Sequence, residues 1–157
     1  SQLNKGSTFL FSLPLSKAEK SGPEEKIENT ANISLSNKRI LIAEDNDINR
    51  LIVSEMLTKA DAELEFAENG IWAIERSKTF NPDLILMDIQ MPIMDGYDAT
   101  RKIREFSDVP IIALSANSSK QEQDKSFLVG MNDYLAKPFK PQDLHAKIMS
   151  LLSLVLN

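Results

Sequence analysis

From Lys38 onward, short apolar runs alternate with stretches whose apolar residues recur at helical spacing. Arg39–Ala43 (RILIA) predicts a short buried strand, and after EDND the residues Ile48, Leu51, Ile52, Met56 and Leu57 predict the inward stripe of an amphipathic helix. Glu63–Ala67 is a more polar strand, suited to a sheet edge. Asn69-Gly70 turns into a helix anchored by Ile71, Ile74 and Phe80, which Asn81-Pro82-Asp83 closes. The run LILMDIQMPIMDG, 84–96, is apolar on successive positions and predicts a strand buried on both faces, as in a parallel sheet. A helix over 97–106 follows, then a strand over 110–114, a strongly polar helix over 118–129, a strand over 133–136 and a last helix over 141–155. That last helix carries Leu144, Ile148, Leu151, Leu152 and Val155 on one face.

Five strands alternating with five helices predict an α/β fold, a doubly wound five-stranded parallel sheet with helices on both faces, because crossovers between parallel neighbours are right-handed. Ligands in such folds sit beyond the carboxyl ends of the strands. Those ends carry Glu44 and Asp45, then Asp88, Ser115 and Lys137.

The N-terminal part has a different pattern. In KGSTFLFSLPL, residues 5–15, Phe9, Phe11 and Leu13 fall on one side at period two, which predicts a strand without a partner nearby or an extended surface tail. Residues 16–37 are polar and mixed in charge, with Gly22-Pro23 breaking any helix, and read as a linker that Ile27, Ile33 or Leu35 could pin to a neighbour. The expected organisation is therefore 1–15 as a tail or residual strand, 16–37 as linker and 38–157 as the folded domain. Since the chain begins with Ser, it is expected to be a fragment of something longer.

Composition narrows the chemistry. The chain of 157 residues has no cysteine and one histidine, His145, which excludes disulfide scaffolds, thiol catalysis and Cys- or His-rich metal sites. The net charge is −5 with no basic face, so no nucleic-acid partner is expected. No apolar run approaches the ~20 residues of a membrane span, so no membrane contact by this stretch and a soluble, cytoplasmic domain are expected.

Unperturbed Asp and Glu side chains have values near ~4, so Glu44, Asp45 and Asp88 are expected to be charged at neutral pH and to repel one another unless a cation joins them. Oxygen ligands alone favour Mg²⁺, which binds through one or two carboxylates plus a phosphate. With Lys137 and Ser115 to neutralise equatorial oxygens, such a site suits phosphoryl transfer, with Asp88 as nucleophile. Any one of these residues alone reads as an ordinary polar strand end; four strand ends together read as a site.

The stretches ILIAEDNDINR, LILMDIQMPIMDG, IIALSAN and NDYLAKPF stand in the order and spacing seen in receiver domains of two-component response regulators, and the resemblance covers 38–156. It implies a flavodoxin-like fold with strand order 2-1-3-4-5. It also implies that Asp88 accepts a phosphoryl group from phosphohistidine, and that Asp45, Asp88 and the backbone carbonyl of Gln90 ligate Mg²⁺ while Glu44 reaches it through water. Lys137 would pair with the phosphoryl group and Ser115 would move to hydrogen-bond it. Tyr134 resembles the aromatic switch residue, Gln90 and Asn117 would tune hydrolysis, and Lys137-Pro138 matches a bond that is cis in the family. A receiver of this kind catalyses its own phosphorylation and dephosphorylation.

KGSTFLFSLPL resembles the closing strand of the ATP-binding domain of sensor histidine kinases, so the chain looks like the C-terminal part of a hybrid histidine kinase. The implied partners are the dimerisation and phosphotransfer core of that kinase, in the same polypeptide, and a downstream histidine phosphotransfer protein. The fragment itself should lack kinase activity. With no output domain after Asn157, relay or regulation of the attached kinase is expected over direct gene control. The alternatives are a stand-alone response regulator and a phosphohydrolase of the haloacid dehalogenase type. Enzymes of that type carry a second Asp two residues after the nucleophile, where Gln90 stands here.

Three further features are expected to be incidental or secondary: His145 as a solvated helix residue, Trp72 as a partly exposed residue off the buried stripe, and the helix over 118–129 as a polar segment anchored by Phe127, Leu128 and Val129.

Overall fold

The computed structural model describes residues 34–154. The strand expected over 5–15, most of the linker with Ile27 and Ile33, and Val155 lie outside the described residues. The elements are β1 Arg39–Ala43, α1 Asp47–Thr58, β2 Glu63–Ala67, α2 Gly70–Phe80, β3 Leu84–Asp88, α3 Gly96–Arg104, β4 Ile111–Ser115, α4 Lys120–Leu128, β5 Asp133–Ala136 and α5 Pro141–Leu154. All neighbouring strands are parallel, in the order β2-β1-β3-β4-β5. This is the doubly wound parallel sheet that the alternation of patterns predicts, in the strand order that the receiver resemblance implies.

Local chemistry sets where the helices begin. Asn46, Asn69, Asp95 and Ser119 each stand in extended backbone just before a helix and accept hydrogen bonds from backbone N–H groups of its first turn. Asn81 ends α2 in the left-handed region.

Alternation along the strands divides the core in two. Ile40, Ile42, Leu84, Leu86, Ile112 and Leu114 face α1 and α5, meeting Val53, Leu57, Leu144, Ile148 and Leu152. Leu41, Ile85, Met87, Ile111 and Ala113 face the other side, meeting Ala73, Ala99 and Ile103. β3 is buried at all five positions, as its unbroken apolar run predicts. Among the described residues, no helix is long and apolar enough to cross a membrane.

Three expectations about faces are corrected. In α1 the core takes Val53 and Leu57, while Ile48 is 69% exposed and Leu51 and Ile52 also lie outside. The helix carries a second apolar face, and periodicity alone cannot say which of two faces turns inward. In α2 the buried residues are Gly70, Ala73 and Ser77, with Ile71 exposed. Small residues go inward there because the helix approaches its neighbours closely: a Cβ on Gly70 would lie 2.7 Å from the Met94 carbonyl. In α4 the fully buried residue is Ser126, and Leu128 is 87% exposed with Phe127 also outside. Only Val129 of the expected anchors packs on the core.

His145 is half-buried, and its Nε2 lies 3.1 Å from the Met56 carbonyl, tying α5 to α1. Trp72 is exposed, as expected, and Arg76 lies over its ring at 5.8 Å.

Leu35 belongs to the fold rather than to the linker. Its side chain is 1% exposed in the α1/α5 core, and its N–H donates to Ala60 at 2.6 Å. Leu35→Ala is expected to cost about 2–4 kcal/mol in urea unfolding, the range for truncating a buried leucine. Ile48→Ala, on the outer face of α1, is expected to change stability by less than about 0.5 kcal/mol in the same measurement.

Candidate functional site

The carboxyl ends of β1, β3 and β5 converge because β1 and β3 are neighbours and a lysine is long enough to reach past the end of β4. Lys137, just after β5, is held by its N–H, which donates to the Ser115 carbonyl at 2.6 Å. Its Nζ lies 2.5 Å from Glu44 Oε2 and 2.6 Å from Asp88 Oδ2. The Lys137-Pro138 bond is cis, as the family pattern implies.

Glu44 is wholly buried. Its other oxygen, Oε1, accepts from Asn49 Nδ2 at 3.1 Å and from the Asn46 N–H at 3.3 Å. Arg50 donates to the Glu44 carbonyl at 3.0 Å while pairing with Asp47, so the start of α1 is tied to the end of β1. Asp88 is 6% exposed, and its Oδ1 accepts the Gln90 N–H at 3.0 Å. Asp45 is exposed at the mouth.

The loop after β3 turns back sharply. Gly96 donates to the Ile89 carbonyl at 2.9 Å, and a Cβ there would lie 2.2 Å from the Asp88 carbonyl, so only glycine fits. Ile93 is held at φ 70, a left-handed conformation that strains a β-branched residue.

One ammonium shared between two carboxylates leaves them unequal. Burial pushes the Glu44 carboxyl up, but the hydrogen bonds from Lys137 and Asn49 and the lysine charge hold it below its ordinary range. Burial also pushes Asp88 up, and there the opposing bonds from Lys137 and the Gln90 N–H do not overcome it, while the Glu44 charge adds to the rise. Burial works against the Lys137 ammonium, but the two carboxylates together raise its value.

The oxygens of Glu44, Asp45 and Asp88 lie within 4.8 Å of one another. Three carboxylates against one ammonium carry a net formal charge of −2 (−3 + 1), which a divalent cation would neutralise. The donor set is oxygen only, which fits a hard ion such as Mg²⁺.

The remaining predicted residues form a second group beside the first. Ser115 is buried at the end of β4, and its hydroxyl donates to Glu122 Oε2 at 2.7 Å while accepting the Asn117 N–H at 3.1 Å. Tyr134 is buried, and its hydroxyl donates to the Asn117 carbonyl, with Glu122 Oε2 a further 3.3 Å contact. Asn117 therefore sits against Ser115 and Tyr134, while Gln90 contacts Asp88 through its backbone. Glu122 was not among the predicted site residues. It stands in a polar helix seven positions after Ser115, and nothing in the periodicity sets it apart from Gln121 or Gln123.

Asp88→Asn keeps an oxygen for the Gln90 N–H and removes one buried charge. Without divalent ions it is expected to stabilise the fold by about 1 kcal/mol at pH 7 in urea unfolding. The sign follows from the raised Asp88 value: its ionised form disfavours folding above that value. The penalty fades as the pH falls through it toward the ordinary 3.8, where folded and unfolded chains are both protonated. The gap between variant and wild type should therefore narrow on acidification. Glu44 acts in the opposite sense in both chains, its stabilisation being lost as the pH falls below the ordinary 4.5 through its depressed folded value. Millimolar Mg²⁺ is expected to raise the wild-type midpoint more than the variant's.

The sequence profile of the response regulator receiver domain matches residues 40–149. Hybrid signal transduction histidine kinase B of Dictyostelium discoideum is 43% identical over 136 residues, 76% of this chain and 7% of that protein. The autoinducer 2 sensor kinase/phosphatase LuxQ of Vibrio vulnificus is 36% identical over 155 residues, 95% of this chain and 18% of that protein. The chain thus spans less than a fifth of the length of either kinase. The receiver domain of sensor histidine kinase PA1611 from Pseudomonas aeruginosa, solved with a magnesium ion coordinated in its active site cleft, has a TM-score of 0.70 at 38% identity. It covers 74% of this chain and 98% of its own. The Saccharomyces cerevisiae Ssk1 receiver, solved with the histidine phosphotransfer protein Ypd1, has a TM-score of 0.69 at 35% identity, covering 73% of this chain and 88% of the matched one. The chain belongs to the response regulator receiver domain family, the domain of hybrid histidine kinases and response regulators that works in phosphorelay.

Proposed function

We propose that this domain takes a phosphoryl group from phosphohistidine onto Asp88, with Mg²⁺ held by Asp45, Asp88 and the Gln90 backbone carbonyl and by Glu44 through water. The observation that carries this reading is the placement of Asp88. It is a buried carboxylate at the end of the central strand, 2.6 Å from the Lys137 ammonium and grouped with two further carboxylates. An Asp88 oxygen attacks phosphorus, the O–P bond forms as the P–N bond breaks, and the imidazole leaves with the bonding pair. Bound Mg²⁺ supplies charge neutralisation for the phosphoryl oxygens. Lys137 neutralises a phosphoryl oxygen from the other side, and Ser115 hydrogen-bonds another. Tyr134 follows Ser115 as the aromatic switch, and Gln90 and Asn117 flank the path by which water reaches the acyl phosphate.

This domain is proposed to work in the cytoplasm, and its parent chain to be a hybrid histidine kinase. The similarity to LuxQ supports this, because it extends over 95% of the chain and so takes in residues ahead of the receiver fold. The phosphodonor is then the kinase's own phosphotransfer core, and the acceptor a histidine phosphotransfer protein. Such a partner finds a surface on α1. Ile48, Leu51 and Ile52 are exposed there, and Asn49, Ile52, Val53, Met56, Lys137 and Phe139 line one cavity of about 350 Å³ that leads to the site. The Ssk1 receiver bound to Ypd1 is a precedent for that kind of partner.

Incubation with Mg²⁺ and acetyl phosphate is expected to add one base-labile phosphate per chain, detected by intact mass. No label on the wild-type chain, or equal label on Asp88→Asn, would refute the reading. Ile52→Asp is expected to slow transfer from a phosphorylated histidine phosphotransfer protein by about tenfold or more, as loss of an apolar anchor does. Its labelling by acetyl phosphate should stay within about twofold of wild type, since the small donor needs no docking surface.

A further inference from the structure

A serine hydroxyl has one proton to donate, so its acceptor decides what else it can bind. In Ser115 that proton goes to Glu122 Oε2 at 2.7 Å. The same oxygen lies 3.3 Å from the Tyr134 hydroxyl. One carboxylate on the first turn of α4 therefore gathers the hydroxyls of both residues proposed to respond to phosphorylation.

Across from it stands Tyr97. Its hydroxyl is the one buried side-chain polar atom among the described residues that lacks a hydrogen-bond partner. Tyr97 and Glu122 together line a cavity of about 170 Å³ with Asn117, and another of about 590 Å³ that ends at Gln90 beside the acceptor. If Ser115 turned away, Glu122 would have the Tyr97 hydroxyl as a donor within the same cavity, the Tyr134 proton being given to the Asn117 carbonyl. It could exchange partners without being left unpaired, which is what makes such an exchange cheap.

We propose that Glu122 is a positioning residue for phosphoryl transfer: it holds the Ser115 hydroxyl before reaction, yields it to a phosphoryl oxygen on Asp88, and then accepts from the Tyr97 hydroxyl. This rests on the phosphoacceptor reading above and adds a competitor for the Ser115 proton. The competition is between a carboxylate fixed on α4 and phosphoryl oxygens that arrive with the substrate. Its outcome is transmitted to α4, because that helix has few other ties: Ser126 is its fully buried residue, and the Ser126 hydroxyl is itself bonded to the Glu122 carbonyl at 2.9 Å.

The test is the rate of labelling by acetyl phosphate with Mg²⁺ in single and double variants. Glu122→Ala is expected to raise the rate about three- to tenfold, the scale of one net hydrogen bond released to the reaction. Glu122→Gln keeps an acceptor oxygen at the same reach without the charge and should fall between. Ser115→Ala should label more slowly, and adding Glu122→Ala to it should change nothing further. Tyr97→Phe should slow labelling when Glu122 is present and have no effect beside Glu122→Ala. A merely structural role for Glu122 would persist without Ser115, so an undiminished effect of Glu122→Ala in the Ser115→Ala chain overturns this inference alone. Absence of label on the wild-type chain overturns the phosphoacceptor reading and this inference with it.

Discussion

Lys137 reaches from the end of β5 to carboxylates at the ends of β1 and β3, and the energetics of the whole mouth depend on that span. Glu44 is wholly buried and Asp88 nearly so. Two carboxylates that close to each other would be costly without a shared cation, and removing the Lys137 ammonium would leave both uncompensated, a loss of typically about 3–5 kcal/mol. Lys137 is placed by its own backbone bond to Ser115, so β4 sets the position of a side chain whose work is done two strands away. The compensation is partial by construction. One ammonium settles on Glu44 well enough to keep that carboxyl ionised, while Asp88 stays above its ordinary value. The residue proposed as the phosphoacceptor is thus the one left under-stabilised, and a site short of positive charge accepts a divalent ion or gives up its negative charge readily.

Much of this was legible in the sequence because the signals were redundant. β3 carries four successive apolar residues, Leu84–Met87, and ends on one carboxylate, and burial on both faces follows from the parallel sheet around it. The strand ends can be aligned by topology alone, which brings Glu44, Asp45, Asp88 and Lys137 to one edge. What was not legible is orientation within a helix. The apolar residues of α1 at 48, 51 and 52 repeat at three and four positions, and so do those at 53, 56 and 57. Both are valid faces; the choice is made by β1 and β3, whose inward residues match Val53 and Leu57 in position. Leu35 could be named as a possible anchor of the linker, but its full burial was not legible for a related reason. One leucine in a polar segment carries no period, and its burial depends on a contact with Ala60 twenty-five residues later.

The face of α1 left outside has a physical consequence of its own. Ile48, Leu51 and Ile52 lie at the end of the helix nearest the mouth, next to a cavity that Lys137 also lines. Exposed apolar residues scattered singly need no explanation, but three on one turn and a half beside a charged site form a patch with a direction. A partner bound there excludes water from the mouth and brings its own reacting group within reach of Asp88. The same apolar residues that misled the assignment of the core thus become the best candidates for recognition. Where sequence periodicity finds more apolar faces on a helix than the fold can bury, the surplus face is where a partner should be sought.

The opposite side of the mouth is built on the contrary principle. α4 is polar along most of its length, with Phe127 and Leu128 outside and a serine as its fully buried residue. Its side-chain hydrogen bonding to neighbouring elements is at Glu122, which accepts from Ser115 and lies 3.3 Å from the Tyr134 hydroxyl, whereas the Ser119 cap and Ser126 bond the helix's own backbone. Apolar packing is non-directional and changes little when one neighbour turns, whereas a hydrogen bond is lost or exchanged outright when its donor rotates. A helix tied to its neighbours by a bond of the second kind registers a change at Ser115 as a discrete change of partners. The side carrying α1 is therefore suited to binding and the side carrying α4 to reporting, and the division arises from how each helix is fastened to the same rigid sheet.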